Sequence, residues 1–538
     1  MIASRTTGGA RAPLFLTLPA FLAGGAMLVP LIYLLVRASN VEWSELSFLL
    51  WRPATAQLLG NTLALVVCVL GLSTLIALPL ALLVTRYRLP LPGLFSALFT
   101  LPLAIPGYVM AYALIGLSGY YGPLNQFFGL RLPRLEGLTG ASLALGLYVF
   151  PYLFLNLRTA LTTLDPALEE SARSLGRSRL STFFSVVLPH LKPAFLSGWL
   201  VIALYTVGDY GAIALMRYDV FSSAIYNQYA GAFEVYYAAW LSLMLMALAA
   251  SFLLLEAWAI RGTRLARSGT GAARPVQRRP LGRMAIPAAL FIGLVLAASL
   301  GVPFGVILFW LLRAPVDLDW AGIGHSAIQT LGIAGPVALI AMAGALPVAL
   351  LVARYPGRIS FLCERLVYLG YGVPALPFAL AMAFLSLSAL PFLYQTMALL
   401  IATLALHFLA LAIGPARARL LQLGPRVEEA ARALGCGPMA SFSRVTLPQL
   451  ARALIAGGLL AFMVAAKELP ITLLLSPAGT HTLAMNVFSH THEGALYDAA
   501  PYAALMIVFS GLFIGLVLAR PDTDAAARGN AHMSRRND

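Results

Sequence analysis

TLALVVCVLGLSTLIALPLALLVTRY, residues 62–87, carries a single charge, Arg86, at its penultimate position. A helix needs about 20 mostly apolar residues to cross the ~30 Å hydrocarbon core of a bilayer, so this run is long enough to span with residues to spare. TLGIAGPVALIAMAGALPVALLVARY, residues 330–355, repeats it at a constant offset of 268 and closes on the same LP-x-ALLV-x-RY. One such run predicts a membrane anchor. A matched pair predicts a membrane protein made of two related halves.

Further apolar runs flank both copies. In the first half they lie near 14–36, 58–85, 94–117, 138–160, 194–216 and 235–260, and in the second near 284–312, 328–353, 363–386, 391–415, 452–475 and 499–519. The expectation is an all-α polytopic protein of about 12 transmembrane helices, with the boundaries of the ninth and tenth spans around Pro391 the least defined. The first run is longer than a signal-peptide core and reads as a retained anchor. Composition agrees: 60% of the 538 residues are hydrophobic and 11% charged, and mean hydropathy is +0.84. Too little polar surface exists to coat a soluble globule, whose charged fraction is about 25%. Three cysteines, Cys68, Cys363 and Cys436, are too few and too scattered for a disulfide scaffold, and no redox or metal role is expected of them.

Cytoplasmic loops retain arginine and lysine, which fixes orientation. With the N-terminus inside, 29 of the 36 basic residues fall in inner segments, six fall outside (Arg37, Arg52, Arg131, Arg134, Arg217 and Arg313), and Lys467 lies within a span. Both termini are therefore expected in the cytoplasm. The net charge of +15 is dispersed among short loops, which excludes a nucleic-acid-binding face. The expected organisation is a first half over 1–260, an Arg-, Gly- and Pro-rich cytoplasmic linker over 261–283, a second half over 284–520 and a cytoplasmic tail over 521–538. Each half holds an even number of spans, so the repeat is parallel, with its pseudo-two-fold axis along the membrane normal.

The best-matched polar stretch is LDPALEESARSLG (164–176) against LGPRVEEAARALG (423–435), at an offset of 259. With nine residues intervening after Gly176 or Gly435, each copy reaches Val186-Val187-Leu188-Pro189 or Val445-Thr446-Leu447-Pro448. Pro166 and Pro425 suit a helix start, Glu169, Glu170, Glu428 and Glu429 suit its positive end, and Gly176 and Gly435 suit its termination. A second short helix is expected to run to Leu-Pro. Solvated connecting loops do not repeat with the same internal spacing of three and nine residues, and a helix–turn–helix outside the membrane suits insertion into a partner's groove.

E-x-A-x(3)-G-x(9)-[IV]-x-L-P resembles the EAA loop of the permease subunits of binding-protein-dependent ABC importers. The resemblance covers both halves, with loops at 164–189 and 423–448, and implies the type I importer (MetI-like) fold in one fused chain. It implies ATPase-coupling roles for Glu170, Ser171, Ala172, Gly176, Leu188 and Pro189, and for Glu429, Ala430, Ala431, Gly435, Leu447 and Pro448. Ser171 departs from the pattern's Ala and is equally small. The implied partners are two copies of an ABC ATPase subunit, a periplasmic binding protein and membrane lipid, with no nucleic acid. The implied location is the bacterial inner membrane. The chain itself carries no P-loop: its two lysines, Lys192 and Lys467, follow no glycine, so ATP is expected on the partner subunit and no cofactor on this chain. No HExxH or Gly-x-Ser-x-Gly motif suggests an enzyme.

Charges inside a span are functional candidates by default. Asp209, followed by Tyr210, and Glu468, preceded by Lys467, are equivalent to each other at the 259 offset, and a pathway or gating role stands beside a structural one near helix ends at Gly208, Gly211 and Pro470. D-Y-G, K-E-L-P-x-T-L-L-L and T-L-A-M-N-V-F-x(8)-Y-x-A-A-P resemble the ferric-iron branch of these permeases. Thiamine, sulfate and polyamine permeases share the architecture and remain alternatives, as does an ion-coupled secondary transporter, which leaves the paired loops unexplained. Fe(III) prefers oxygen ligands. Seven tyrosines from Tyr205 to Tyr237 accompany Asp209, Asp219 and Glu234, although an aromatic belt at the membrane interface is the preferred reading of the tyrosines. His490, His492 and Glu493, in an outer segment with His481 and Asp498, are candidates for a metal relay or for an exposed loop meeting a periplasmic donor.

Overall fold

The computed structural model describes residues 13–40, 42, 44, 47–48, 51–231, 235–261, 278–314 and 318–518. Arg5, Arg11, Glu234, linker residues 262–277 and the tail at 521–538 lie outside the described residues. Among the described residues the chain is helical with no strand, and one isolated bridge joins Tyr87 to Arg279.

Among the described residues eight helices are long and apolar enough to cross a membrane, and three bent helix pairs, each counted as one span, bring the number to 11. Leu496–Leu518, apolar over Leu496–Leu512, stands where the twelfth span is expected. The longest helices are the two quoted repeats, Pro53–Arg86 and Trp320–Arg354.

Two of the expected spans, near 94–117 and 363–386, are sharply bent. Pro92–Ala104 turns 92° into Gly107–Leu117, and Arg358–Gly372 turns 107° into Ala375–Ala389. The cause is an X-Pro pair in each: proline pushes the preceding residue out of the helical region, and Ile105 (ψ 114°) and Val373 (ψ 132°) are extended just before Pro106 and Pro374. No charge marks either break, so hydropathy reads straight through it. The span around 391–415 is Met397–His407 joined to Leu409–Leu423 at 43°, after a single turn at Pro391–Leu393. The runs at 194–216 and 452–475 also stop early, at Gly208 and Ala466, and resume as the short helices Gly211–Leu215 and Pro470–Leu475.

The two halves exchange their outer spans. Leu14–Ser39 packs on Trp320–Arg354, Arg358–Gly372 and Ala375–Ala389 of the second half. Val302–Leu311 packs on Gly107–Leu117 of the first, where Trp310 Nε1 donates to Gly116 O at 3.2 Å. One core accordingly combines Met27 and Leu34 with Val348 and Phe378, and the other combines Val306 with Tyr112 and Phe150. The boundary at 261–283 separates the sequence repeats, while the packed bodies cross it. At the linker's end Arg279 N donates to Arg86 O at 2.9 Å and Arg88 N to Arg279 O at 2.8 Å, which fastens the linker beside the inner end of the first long helix.

Candidate functional site

Two polar segments follow the helices Gly137–Thr163 and Leu409–Leu423, and they are alike in detail. Pro166–Ser174 and Arg426–Ala433 are short helices with acidic first turns. The first is capped by Asp165, whose Oδ1 accepts from Ala167 N at 3.0 Å. Both end on a glycine in the left-handed region, Gly176 at φ +84° and Gly435 at φ +86°. The following amide then reaches back, Arg177 N to Ala172 O at 3.2 Å and Cys436 N to Ala431 O at 3.1 Å, so orphan carbonyls of the last turn are satisfied. A Cβ on either glycine would meet nothing within 4 Å. It is the backbone angle, not space, that selects glycine.

The motif alanines divide by role. Ala172 and Ala431 are buried at 8% exposure each, whereas Ser171 and Ala430 are exposed, which explains why Ser replaces Ala without cost. Glu170 and Glu429 are exposed as well. Large apolar side chains crown each turn: Leu175 and Leu180 in the first hook, Leu434 and Met439 at the equivalent positions of the second. Exposed apolar tips on an otherwise charged segment are of the kind that suits contact with a protein partner.

The second short helix expected to run to Leu-Pro reaches it but does not end there. Arg179–Thr182 and Pro438–Ser441 lead through one wide turn, Phe183–Val187 or Phe442–Thr446, directly into the spans Leu188–Gly208 and Leu447–Ala466. Leu188 N bonds to Phe183 O and Leu447 N to Phe442 O, five residues back. Pro189 and Pro448 supply the reason. A proline ring collides with the carbonyl four residues earlier, and an extra residue in the turn moves that carbonyl aside. The Leu-Pro of the motif therefore joins the hook continuously to the span that follows it.

At the far end of those same spans lie the four pathway candidates. Asp209 Oδ1 accepts from Ala212 N at 3.0 Å and from Ile213 N at 3.4 Å, which caps Gly211–Leu215. Glu468 accepts from Ile471 N at 2.7 Å, Thr472 N at 3.0 Å and Thr472 Oγ1 at 2.9 Å, which caps Pro470–Leu475. Each carboxylate thus holds a broken turn together. The two turns meet across the halves: a Cβ on Gly211 would lie 2.7 Å from Leu469 Cδ2 and 3.1 Å from Tyr108 Cβ, so only glycine permits the approach. Lys467 Nζ donates to Leu103 O at 3.1 Å, and Tyr108 Oη donates to Lys467 O at 3.3 Å. Tyr210 is buried, with its ring 4.7 Å from that of Tyr226 and 5.7 Å from that of Phe488.

The tyrosine-rich stretch is not a belt facing lipid. Of its seven tyrosines only Tyr236 is exposed, because the segment folds inward after the break at Asp209. Asp219 is exposed, and its carbonyl accepts from Asn61 Nδ2 at 2.8 Å. The histidine group does not assemble as a metal relay. Thr482 caps a helix over Leu483–Glu493, where an exposed loop is expected, and residues two apart on a helix face away from each other. His490 stacks on Tyr502 at 5.7 Å and His492 on Phe488 at 5.9 Å, while Glu493 is exposed. Among the described residues no three His, Cys, Asp or Glu side chains come together as metal ligands.

Sequence reasoning noted Arg86, Arg354, Glu169 and Glu428 without pairing them. Arg86 Nη2 lies 2.5 Å from Glu169 Oε1, and Arg354 Nη2 lies 2.9 Å from Glu428 Oε1. The signal was available: the arginine repeats at one offset and the glutamate at the other, so both halves keep both partners.

The family described as the inner-membrane component of binding-protein-dependent transport systems matches residues 73–264 and 345–520. The Fe(3+)-transport system permease protein FbpB 2 of Haemophilus influenzae is 32% identical over 513 residues, 94% of this chain and 98% of its own length. The ferric transport system permease protein FbpB of Actinobacillus pleuropneumoniae is 24% identical over 84% of this chain and 69% of its own. The sulfate transport system permease protein CysT of Salmonella typhimurium is 28% identical over 36% of this chain and 70% of its own.

Proposed function

This chain belongs to the inner-membrane components of binding-protein-dependent transport systems, and from that membership we propose that it forms both membrane halves of an ATP-driven importer for ferric iron. The observation that carries the reading is the pair of matched, exposed hooks, each continuous with a span that ends at the central turns. The near-full-length likeness to a permease named for Fe(3+) transport supports the cargo.

Two copies of an ATPase subunit receive the two hooks from the cytoplasmic side. A periplasmic ferric-iron-binding protein delivers the ion to the outer face. ATP is bound and hydrolysed on the partner, since this chain has no Gly-Lys-Ser/Thr loop. Because the hooks are equivalent, closure of an ATPase dimer moves both toward the axis, and the spans attached to them shift the contact between the Asp209–Gly211 and Lys467–Pro470 turns. That contact is the gate. Its carboxylates are occupied by backbone amides, so iron crosses a region without a tight trap, as a transport path requires. Both termini lie in the cytoplasm, as the arginine distribution supports.

A second reading, an oxyanion as cargo, is favoured by Lys467, a cation at the centre whose ammonium bonds to a carbonyl, and by the partial match to a sulfate permease. Reconstitution with the cognate ATPase and binding protein separates the two. ATP-dependent accumulation of labelled ferric iron is expected; accumulation of labelled sulfate with no iron uptake contradicts the iron assignment.

A further inference from the structure

Each long helix is gripped at both ends, by equivalent contacts in the two halves. At the inner end stand the Arg86–Glu169 and Arg354–Glu428 pairs, with 12–20% of each side chain exposed. Arg354 does more than pair. Its Nε and Nη2 reach Glu428 Oε1 at 3.0 and 2.9 Å, its Nη1 reaches Leu420 O at 3.1 Å, and its Nη2 reaches Gly424 O at 2.9 Å. Thr446 Oγ1 donates to the same Glu428 oxygen at 3.2 Å. One guanidinium therefore ties the long helix to the preceding span and to the hook, and the glutamate continues the tie into the wide turn of the next span.

At the outer end the long helices hold the segments that follow the central turns. Thr62 Oγ1 accepts from Phe221 N at 3.3 Å, and Thr330 Oγ1 accepts from Leu483 N at 3.0 Å. Thr62 and Thr330 are equivalent at the 268 offset, as are Arg86 and Arg354. At 1.5 Å per residue the two grips on one helix are about 36 Å apart, more than the thickness of the hydrocarbon core. A straight helix carries displacement over that length far better than a chain of loop contacts.

We propose that Arg86 with Glu169, and Arg354 with Glu428, are positioning pairs that convert displacement of each hook into movement of its long helix, which carries that movement to the outer segment beyond the gate. The proposal rests on the reading of the hooks as ATPase-docking elements. Both pairs are charge-assisted and partly shielded from water, so each holds its hook in one register against the helix end.

The test uses the full chain with its ATPase in lipid vesicles. Gln57→Cys and His325→Cys, in a chain whose three native cysteines are changed to alanine, place spin labels at the outer ends of the two long helices. Nucleotide is expected to change the distance between the labels. In R86M and R354M that change should vanish and transport per ATP hydrolysed should fall by about tenfold or more, with hydrolysis retained, the size expected on losing a charge-assisted bond. The exchange R86E with E169R should restore the distance change, because Arg86 makes no contact, among the described residues, equivalent to those of Arg354 with Leu420 O and Gly424 O. Labels that move in R86M and R354M as in the parent overturn the proposal. So does loss of chain from the membrane with transport per ATP unaltered, or failure of the exchange. A parent chain whose labels ignore nucleotide, or whose hooks bind no ATPase, instead overturns the docking reading and the proposal with it.

Discussion

The hooks and the central turns lie at opposite ends of the same two spans, yet only the hooks are near-copies of each other. Between the hooks the glycine angles differ by 2°, the reach-back bonds match, and the exposed apolar residues fall at equivalent positions. Between the turns Gly208 aligns with Lys467, Asp209 with Glu468, Tyr210 with Leu469 and Gly211 with Pro470 at the 259 offset. The difference follows from what each region meets. On the proposed function two copies of one motor subunit present identical surfaces, which keeps the hooks alike. On the same proposal a single cargo on the axis passes both turns at once, and two unlike sides shape one path better than two like ones.

The largest effect that tests this contrast comes from the hooks. Gly176→Val together with Gly435→Val forces β-branched residues into left-handed backbone, at a cost of about 1–3 kcal/mol each. Uptake should be abolished with the chain still in the membrane, as read by transport assay and immunoblot. Next, Leu175→Asp and Leu434→Asp should each weaken ATPase binding by tenfold or more, since a docked leucine contributes about 1.5–3 kcal/mol. The two losses should agree within about twofold in a binding measurement; a large inequality breaks the symmetry of the hooks.

The turns should behave unequally. Glu468→Ala strips three donors of their acceptor and should lower stability by about 2–3 kcal/mol, whereas Asp209→Ala, with two weaker bonds, should cost about 1 kcal/mol. Thermal unfolding of the solubilised chain reads both, and equal losses would make the turns as alike as the hooks. The smallest effects sharpen the edges of the comparison. Ser171→Ala and His492→Ala touch exposed or singly stacked side chains and should leave uptake and stability within about 0.5 kcal/mol of the parent.

Much of this was legible in the sequence because it repeats. The LP-x-ALLV-x-RY and EAA segments fixed the two halves, the hooks and the positions of the central breaks, since turn glycines and charges punctuate them. The bends at Pro106 and Pro374 were hidden: a proline inside an unbroken apolar run changes direction without changing hydropathy. The exchange of outer spans was equally invisible, because Leu14–Ser39 is apolar on every side and its sequence does not say which half it packs on. His490 and His492 misled through proximity in sequence, which on a helix means opposite faces. The Arg86–Glu169 and Arg354–Glu428 pairs lay between these extremes, since 83 and 74 residues separate the partners, but the shared repetition of both members pointed to a contact.

The central claim is that two equivalent hooks face the same compartment and engage the same motor. Leu175→Cys and Leu434→Cys, introduced separately into a chain free of its own cysteines, test it directly in membranes of known sidedness. Both thiols should react with an impermeant reagent from the cytoplasmic side only, and both should cross-link to the ATPase subunit. Reaction of either one from the periplasmic side, or cross-linking of one hook and never the other, would contradict it.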